Sequence, residues 1–221
     1  MRVFSKFTAL FLGMVLLAPM ASASPENPAN LTELVDAVEA TYSGATSIRA
    51  EFVQVDKSAS LGTEVRQRGR IAIERPRKVR VDMGLPVTQT YVSNGKTMWA
   101  YSVADKQVFE SPELGGGGGM GILLEDLSKI GDLFDVTLLP AVAGQDSVSI
   151  RLVPKQPGAF KSLQLTLTKQ KYVLKELVLV NQLDDVTQMT FSAVTMNKDI
   201  PDAEFNFVTP VGVKTVKTGA M

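Results

Sequence analysis

The sequence of 221 residues contains no cysteine and no histidine. Without cysteine the chain forms no disulfide framework and offers no thiol for lipid attachment. The absence of both residues also excludes most transition-metal sites, together with the Cys–His and Ser–His nucleophile systems. We therefore expect no metal, no cofactor and no enzyme activity.

The chain also has no excess of positive or negative charge, because 23 lysine and arginine residues are balanced by 23 aspartate and glutamate residues. This balance gives no reason to expect a nucleic acid partner. A local row of cations does occur at Arg66, Arg68, Arg70 and 77–80. It fits either a solvated strand face or a docking patch.

Long apolar runs are missing except near the start of the chain. Two basic residues precede the apolar stretch Phe7–Leu17, and Ala21-Ser22-Ala23 has the small residues of a cleavage site. The stretch is too short to span a bilayer comfortably, which disfavours a retained membrane anchor. Residues 1–23 are therefore predicted to be a signal peptide, and residues 24–221 to be one exported, soluble domain.

An amphipathic helix is predicted next. Asn30 has Glu33 three residues further on, which is the spacing of a helix N-cap. Apolar residues then recur on one helical stripe until Gly44, so the helix has a face to bury. The stripe consists of Leu31, Leu34, Val35, Val38 and Tyr42.

Most of the remaining chain alternates between apolar and polar residues, as half-buried strands do. The alternation in Thr63–Met83 places Ile71, Ile73 and Arg75 on one face, so a guanidinium lies in phase with apolar neighbours. Arg75 fits either a strand-end side chain with its head in water or a donor to whatever covers the apolar face. Strands are predicted at Ser47–Val55, Thr63–Arg75, Lys78–Met83, Thr88–Ser93, Lys96–Val103, Gln107–Ser111, Val148–Leu152, Leu163–Leu167, Val173–Val180 and Val186–Met196.

The pair Asn94-Gly95 joins two of these strands and favours a two-residue type I′ hairpin. Trp99 and Tyr101 share a face of the second strand. Trp99 fits either an ordinary core residue or a ligand contact. If the strands enclose a hollow interior, a residue of that interior would also contact a ligand, and both interpretations of Trp99 would hold.

The glycine run Gly115–Gly119 lacks the downstream Lys-Ser or Lys-Thr of a phosphate-binding loop, so nucleotide binding is rejected. The run instead favours a flexible tether. It leads into Ile122–Phe134, which is too apolar for a helix lying free on a surface. We expect this segment to cover another apolar surface.

About ten or eleven strands and two helices predict a mainly β fold, in which a sheet with one apolar face curls into a barrel or half-barrel. Short links between successive strands favour antiparallel pairing. The helices are then expected to form a lid over a hydrophobic cavity suited to an acyl chain. The alternative is a barrel packed solid by its own side chains.

Four segments carry a resemblance to a known family. They are Phe52-x-Gln54, then Gly69-Arg70-Ile71-x-Ile73-x-Arg75-Pro76, then Val92-Ser93-Asn94-Gly95-Lys96-Thr97-Met98-Trp99-x-Tyr101, and finally Phe205-x-Phe207-x-x-Pro210-x-Gly212-Val213. In this order and spacing they resemble LolA, the periplasmic carrier of outer-membrane lipoproteins. The resemblance runs from the predicted helix to the last apolar segment.

The resemblance implies an unclosed antiparallel β-barrel lidded by helices, located in the periplasm and not itself lipidated. It implies acylated lipoproteins as cargo, an inner-membrane ABC transporter that releases them and an outer-membrane receptor that accepts them; we expect a monomer. The family's lid-holding arginine falls on Arg75, and its aromatic cavity residue falls on Val79. The lipid-binding cavity is expected to be lined by Leu34, Val38, Phe52, Ile71, Ile73, Val79, Val81, Trp99, Tyr101, Ile122, Leu123 and Leu127.

Two other functions fit the same pattern. One is a sensor domain that binds mislocalised lipoprotein or peptide, although such proteins usually carry a further domain. The other is a carrier of a different lipid, such as a glycolipid or a phospholipid. The carboxylate pairs Asp184-Asp185 and Glu125-Asp126 are interpreted as a turn and as the polar side of a helix, rather than as acid–base pairs.

Overall fold

The computed structural model describes residues 30–112, 126–158 and 160–218, and within them it contains twelve strands and two short α-helices. The predicted mainly β fold is confirmed. The helices are α1 (Leu31–Ser43) and α2 (Ile130–Leu133). The strands are β1 (Ser47–Lys57), β2 (Glu64–Glu74), β3 (Lys78–Met83), β4 (Gln89–Asn94), β5 (Thr97–Ser102), β6 (Gln107–Pro112), β7 (Phe134–Leu138), β8 (Ser147–Pro154), β9 (Phe160–Thr168), β10 (Leu174–Asn181), β11 (Val186–Met196) and β12 (Lys214–Lys217).

Helix α1 begins and ends where the sequence predicts. Asn30 Oδ1 accepts a hydrogen bond from Glu33 N at 2.9 Å, and Asn30 Nδ2 donates to Glu33 Oε1 at 3.0 Å. The first bond gives an acceptor to Glu33 N, a backbone donor that an uncapped helix leaves without a partner, and the second joins the two side chains. Gly44 follows the last turn and donates to Ala40 O.

The twelve strands form one sheet in the order β12-β6-β5-β4-β3-β2-β1-β11-β10-β9-β8-β7. Within the described residues, β12 and β7 each have a partner on one side only, so the sheet is open and the predicted unclosed architecture is confirmed. The predicted strands all pair antiparallel with their neighbours, as expected, whereas β12, which was not predicted as a strand, pairs parallel to β6 at one edge. The chain reaches β12 by crossing a face of the sheet instead of turning back from a neighbouring strand.

The sheet has two faces that are covered differently. The helix face carries Ile71 and Ile73 and packs against α1 in one large apolar cluster. The outer face carries Ala72, which packs in a second, small cluster against Ile200 and Phe205. These last two residues belong to the segment 197–213 between β11 and β12, which we call the strap.

A bulge accounts for the mixed apolar pattern of β11. The register between β1 and β11 shifts between Arg49 and Glu51, and Ala193 has a φ of 50°. An extra residue in one strand exchanges the faces on either side of it. Val194 therefore packs on the helix-face cluster although it lies an odd number of residues from Phe191.

The hairpin between β4 and β5 is confirmed, but its turn differs from the predicted type I′. Asn94 still pairs with Lys78, so the two central residues are Gly95 and Lys96. Only Gly95 has a positive φ, at 85°, which is the pattern of a type II′ turn. Asn94 Oδ1 accepts from the backbone N–H groups of Lys96 and Thr97, which keeps Asn94 in the strand.

The second helical region ends one residue before the predicted Phe134. A 3₁₀ turn at Asp126–Lys129 leads into α2, and Phe134 already belongs to β7. Gly115–Gly119 and residues 122–125 lie outside the described residues, as does the predicted signal peptide. Among the helices of the described segments, none combines the length and the apolar character needed to cross a membrane.

Candidate functional site

The apolar side chains under α1 form the candidate site. Leu34 and Val38 from α1 and Leu127 and Ile130 from the second helical region are almost completely buried on the helix face. Eight of the predicted cavity residues meet in this cluster. They are Leu34, Val38, Phe52, Ile71, Ile73, Val79, Val81 and Leu127.

The space that remains under α1 is small. A cavity of about 20 Å³ lies between Tyr42, Ile48, Ala50, Ile71, Leu174, Phe191 and Val194. This is room for about one water molecule, and its lining is apolar. The helices therefore lie over the predicted hydrophobic cavity in a closed arrangement, in which their side chains fill the space around this small gap.

Arg75 holds the C-terminal end of α1. Its Nη2 donates to Tyr42 O at 3.0 Å and its Nη1 donates to Ser43 O at 3.2 Å. The last carbonyls of a helix have no partner within the helix and carry partial negative charge, so a guanidinium is well matched to them. Arg75 N also donates to Thr46 O at 2.9 Å, which places the arginine directly below the connection from α1 to β1.

Tyr42 joins the same end of α1 to the opposite half of the sheet. Its hydroxyl oxygen accepts a hydrogen bond from Leu174 N in β10 at 3.0 Å. Burial raises the pKa of Tyr42 to about 12, against a smaller lowering effect of the Leu174 N–H. Tyr42 and Arg75 thus fix one helix end to β10 and to the turn after β2.

A third polar contact holds the two helical regions together, and no local sequence pattern predicts it. Gly131 N donates to Glu39 Oε1 at 2.8 Å, and Lys155 Nζ donates to Gly131 O at 2.5 Å. Glu39 lies next to the apolar stripe of α1, so its position on the helix was predictable. Its partner was not, because the two residues are 92 positions apart.

Trp99 and Tyr101 are not in the cavity cluster, which corrects the prediction for these two residues. Val81 on the helix face pairs with Tyr91, and Tyr91 pairs with Ala100, so the side chains on either side of Ala100 point to the outer face. There Trp99 and Tyr101 contact Phe207 of the strap, with ring centroids 6.3 and 5.8 Å apart. The remaining predicted cavity residues, Ile122 and Leu123, lie outside the described residues.

The outer face near the strap is dominated by paired charges. Arg49 Nη2 and Glu204 Oε1 are 2.5 Å apart, and Arg80 donates to both carboxylate oxygens of Asp82 and to Glu204 O. Two grooves of about 530 and 520 Å³ run along this face, and both are lined by arginines and carboxylates. Their size exceeds that of the apolar cavity, but charged walls are unsuited to an acyl chain.

The contacts of Lys78 and Arg80 favour their charged forms. The hydrogen bond to Asp202 raises the pKa of Lys78 most, and the hydrogen bond to Glu74 raises it further. The hydrogen bond to Asp82 raises the pKa of Arg80. The predicted cationic row is therefore divided, because Arg80 is paired on the outer face while Arg66 and Arg68 are exposed.

The carboxylate pair Asp184-Asp185 forms a turn, as predicted. Asp185 accepts hydrogen bonds from Ala59 N and from Asn181 Nδ2, and bonding to Asn181 and Ala59 lowers its pKa. Asp184 pairs with Lys161 at 2.6 Å. Within the described residues no group of three or more acidic side chains is placed to hold a metal ion.

Comparison with known proteins agrees with this geometry. A family model described as outer membrane lipoprotein carrier protein LolA matches residues 43–208, and the chain belongs to this family. An outer-membrane lipoprotein carrier protein from Azotobacter vinelandii is 29% identical over 96% of this chain and 98% of its own length. A protein of the same name from Coxiella burnetii is 25% identical over 93% of this chain and 95% of its own.

Among solved structures, an uncharacterized conserved protein from Thermus thermophilus has a similar fold. It superposes with a TM-score of 0.55 at 16% identity, covering 85% of this chain and 98% of that one. At this identity the likeness concerns the fold alone. It supports the open sheet with helices on one face.

Proposed function

We propose that this protein carries the acyl chains of lipoproteins, and that the helix face is where they bind. The observation that supports the proposal is a continuous apolar face covered by α1, which Arg75 and Tyr42 fasten at one end of the helix. The names of the relatives point to the same cargo. The protein would act by binding and release rather than by catalysis.

Loading requires α1 to leave the helix face, because about 20 Å³ of free space cannot hold an acyl chain. Exposing Leu34 and Val38 costs about 1.5–3 kcal/mol for each side chain. Each hydrogen bond lost by the Arg75 guanidinium adds about 1.5–3 kcal/mol when its partners are left unsatisfied. The closed cover therefore competes with the cargo.

The cargo offsets this cost by its own burial. Each methylene removed from water contributes about 0.8 kcal/mol, so roughly ten methylenes offset about 8 kcal/mol. An acylated lipoprotein has enough methylenes to open the cover and still bind. Its net affinity is lowered by the cost of opening, which allows the cargo to be passed on.

The route of the cargo follows from the family. We propose that the chain works in the periplasm, takes lipoproteins from an inner-membrane ABC transporter and delivers them to an outer-membrane receptor. The near balance of charge and the absence of cysteine from the sequence suit an exported carrier that is not itself lipidated. A cover that closes again after release would leave the empty carrier without an exposed acyl-binding surface.

Arg75→Leu tests the role of the cover. The variant loses both guanidinium bonds to Tyr42 O and Ser43 O, so the open form is favoured. We expect it to load a synthetic triacylated lipopeptide at least as well as the wild type and to transfer it to an acceptor at least tenfold more slowly. A tenfold change corresponds to about 1.4 kcal/mol of retained binding, and the two lost bonds together are worth about 3–6 kcal/mol. The measurement is reconstituted transfer between purified carrier and acceptor, with loading measured separately.

The matched control is Arg77→Leu, which removes an exposed arginine from the same turn. It should transfer like the wild type. Normal transfer by Arg75→Leu would count against the role of Arg75. Failure of the wild type to bind the lipopeptide, or copurification of only a different lipid detected by mass spectrometry, would count against lipoprotein carriage itself.

A further inference from the structure

The exposed apolar side chains of the protein are concentrated at one end of the sheet. Within the described residues, six large aliphatic side chains are more than half exposed. Leu61 and Leu183 are each 75% exposed, Leu85 is 81% exposed and Val211 is fully exposed. These four lie on the loops at 58–63, 182–185, 84–88 and 209–213. A fifth, Val208, is 84% exposed and lies in the strap just before the last of these loops.

The topology places these loops at the same end. Successive antiparallel strands put alternate connections at opposite ends, so the β1–β2, β3–β4 and β10–β11 loops share one rim. Ala59 N donates to Asp185 Oδ1 at 2.9 Å, which holds the tips carrying Leu61 and Leu183 side by side. Lys214 N donates to Lys106 O, which brings the end of the strap to the same rim. We call this end the leucine rim.

The opposite rim differs. It contains the turn after β2, the β4–β5 turn and the end of α1, where Arg75 forms its bonds. Val142, in the β7–β8 loop at that end, is 58% exposed and is the one side chain of the six located there. The two rims therefore differ in how much aliphatic surface they present.

The charges near the leucine rim leave a cationic excess. Two acidic groups near this rim form ion pairs, Glu64 with Lys57 and Asp184 with Lys161. Three others keep their charge and accept hydrogen bonds from uncharged donors: Asp185 from Ala59 N, Asp56 from Thr187 Oγ1 and Asp105 from Ser102 Oγ. The basic residues Lys106, Lys155, Lys214, Arg66 and Arg68 near the same rim outnumber these three. Arg66 and Arg68 lie on the outer face of β2 beside this rim, opposite Val55 and Val53 of β1. Both are exposed, and neither forms a salt bridge with any of the described residues.

We propose that the leucine rim contacts the surface of an anionic phospholipid bilayer. Four aliphatic side chains spread over four loops of the described chain, of which only the Leu61 and Leu183 loops are bonded to each other, do not form the contiguous core that a protein interface requires. They can each enter the boundary between headgroups and acyl chains, while arginines bind lipid phosphate groups. This contact involves loops remote from the helix face, so it goes beyond the carriage of acyl chains.

Flotation with vesicles tests the proposal on the cargo-free protein. The wild type should float with vesicles of phosphatidylcholine and phosphatidylglycerol in a ratio of roughly 7:3, and only weakly with phosphatidylcholine alone. The variant Leu61→Ser/Leu85→Ser/Leu183→Ser should lose about tenfold or more of this partitioning. Arg66→Gln/Arg68→Gln should lose the preference for phosphatidylglycerol, whereas Val142→Ser should behave like the wild type.

Site-specific labelling identifies which rim enters the bilayer. Because the sequence has no cysteine, Leu61→Cys, Leu183→Cys and Val142→Cys each provide a single thiol for an environment-sensitive fluorophore. The label should shift to the blue on vesicle binding at the first two positions and not at the third. Equal shifts at all three positions would overturn the proposed orientation.

Three further results would overturn the proposal. They are the absence of flotation by the wild type at low ionic strength, undiminished flotation of the triple serine variant, and a triple variant that loses self-association instead of vesicle binding. Lipopeptide loading is measured on the same variants and should be unchanged, because the substituted residues lie off the helix face. Failure of vesicle binding and failure of lipoprotein carriage are thus separate outcomes.

Discussion

The two faces of the sheet are both covered, but different interactions hold the two covers. On the helix face, α1 packs Leu34, Val38 and Tyr42 onto an apolar surface and has its polar tethers at one end and through Glu39. On the outer face, the strap is held by charges such as Arg49–Glu204 and by the buried Phe205.

The difference indicates which cover can exchange with a ligand. An apolar ligand can replace the apolar contacts of α1 almost completely, since both bury similar surface against the same side chains. It cannot replace the ion pairs of the strap, because their charged partners would lose their counter-ions in contact with an acyl chain. We therefore expect α1 to move on loading and the strap to stay in place.

Removing one buried side chain from each cover should cause the largest loss in the free energy of unfolding. Phe205 is 1% exposed and lies 5.8 Å from Lys78 Nζ. Phe205→Ala should lower the free energy of unfolding by about 3–5 kcal/mol, and Leu34→Ala by about 2–5 kcal/mol. Urea denaturation measures both values.

The same two variants separate the faces by their effect on binding. Leu34→Ala weakens the cover that competes with cargo, so it should bind a triacylated lipopeptide more tightly than the wild type. Phe205→Ala should leave that affinity unchanged under conditions in which it is folded. An equal change of affinity in both variants would contradict the assignment of the helix face as the binding surface.

Tyr42 provides a pH-dependent test of the fastening of α1. Its pKa is raised from 10.0 to about 12, so the folded state favours the protonated phenol. The stability that this shift contributes is present below pH 10 and is lost as the pH rises toward 12. Its full contribution to the free energy of unfolding is roughly 2–3 kcal/mol, because the shift is about two pKa units. The measurement is urea denaturation of wild type and Tyr42→Phe at intervals between pH 8 and pH 12.

The difference in stability between the wild type and Tyr42→Phe is compared at each pH over this range. The variant should be less stable than the wild type at pH 8 by about 1–3 kcal/mol, because Leu174 N loses its acceptor. The gap should narrow above pH 10, since the variant has no phenol to ionise at this position. A constant gap up to pH 12 would show that the hydroxyl is not held in the buried site.

The sequence predicted the elements better than the faces they cover. Local periodicity was sufficient for α1 and for the ten predicted strands, β1–β6 and β8–β11, and it placed Arg75 in phase with Ile71 and Ile73. For Trp99 and Tyr101 the alternation showed that they share a face but not which one, because the strap makes the outer face of β4–β6 apolar too. Val92 and Val108, both on that face, are 1% and 0% exposed.

Contacts between distant parts of the chain were the main source of error. Strand β12 has no apolar alternation, and its partner β6 lies more than a hundred residues earlier, so neither its strand state nor its parallel pairing could be inferred. The closed cavity depends in the same way on how α1 packs. A pattern of apolar residues is the same whether the space between them is filled by a helix or by a ligand.

Gly69 tests the packing of the helix face at the centre of the sheet. A Cβ at this position would lie 2.3 Å from Phe52 Cζ and 2.6 Å from Asp82 O, and the second of these atoms belongs to the backbone. Gly69→Ala should therefore lower the free energy of unfolding by about 1–3 kcal/mol. The double variant Gly69→Ala/Phe52→Leu should recover part of this loss, and no recovery would assign the strain to the backbone contact.

The smallest expected effect concerns the ion pair that distinguishes the strap. The side chains of Arg49 and Glu204 are 38% and 35% exposed, so water and salt screen much of their attraction. Glu204→Gln keeps the shape of the side chain and the Glu204 carbonyl that binds Arg80, and it should cost at most about 1 kcal/mol at low salt. The cost should shrink further in about 0.5 M salt, which urea denaturation at both concentrations would show. A loss in the free energy of unfolding that is much larger than this and persists in salt would mean that the strap depends on this single pair. The contrast between a cover held by packing and a cover held by several charges would then be wrong.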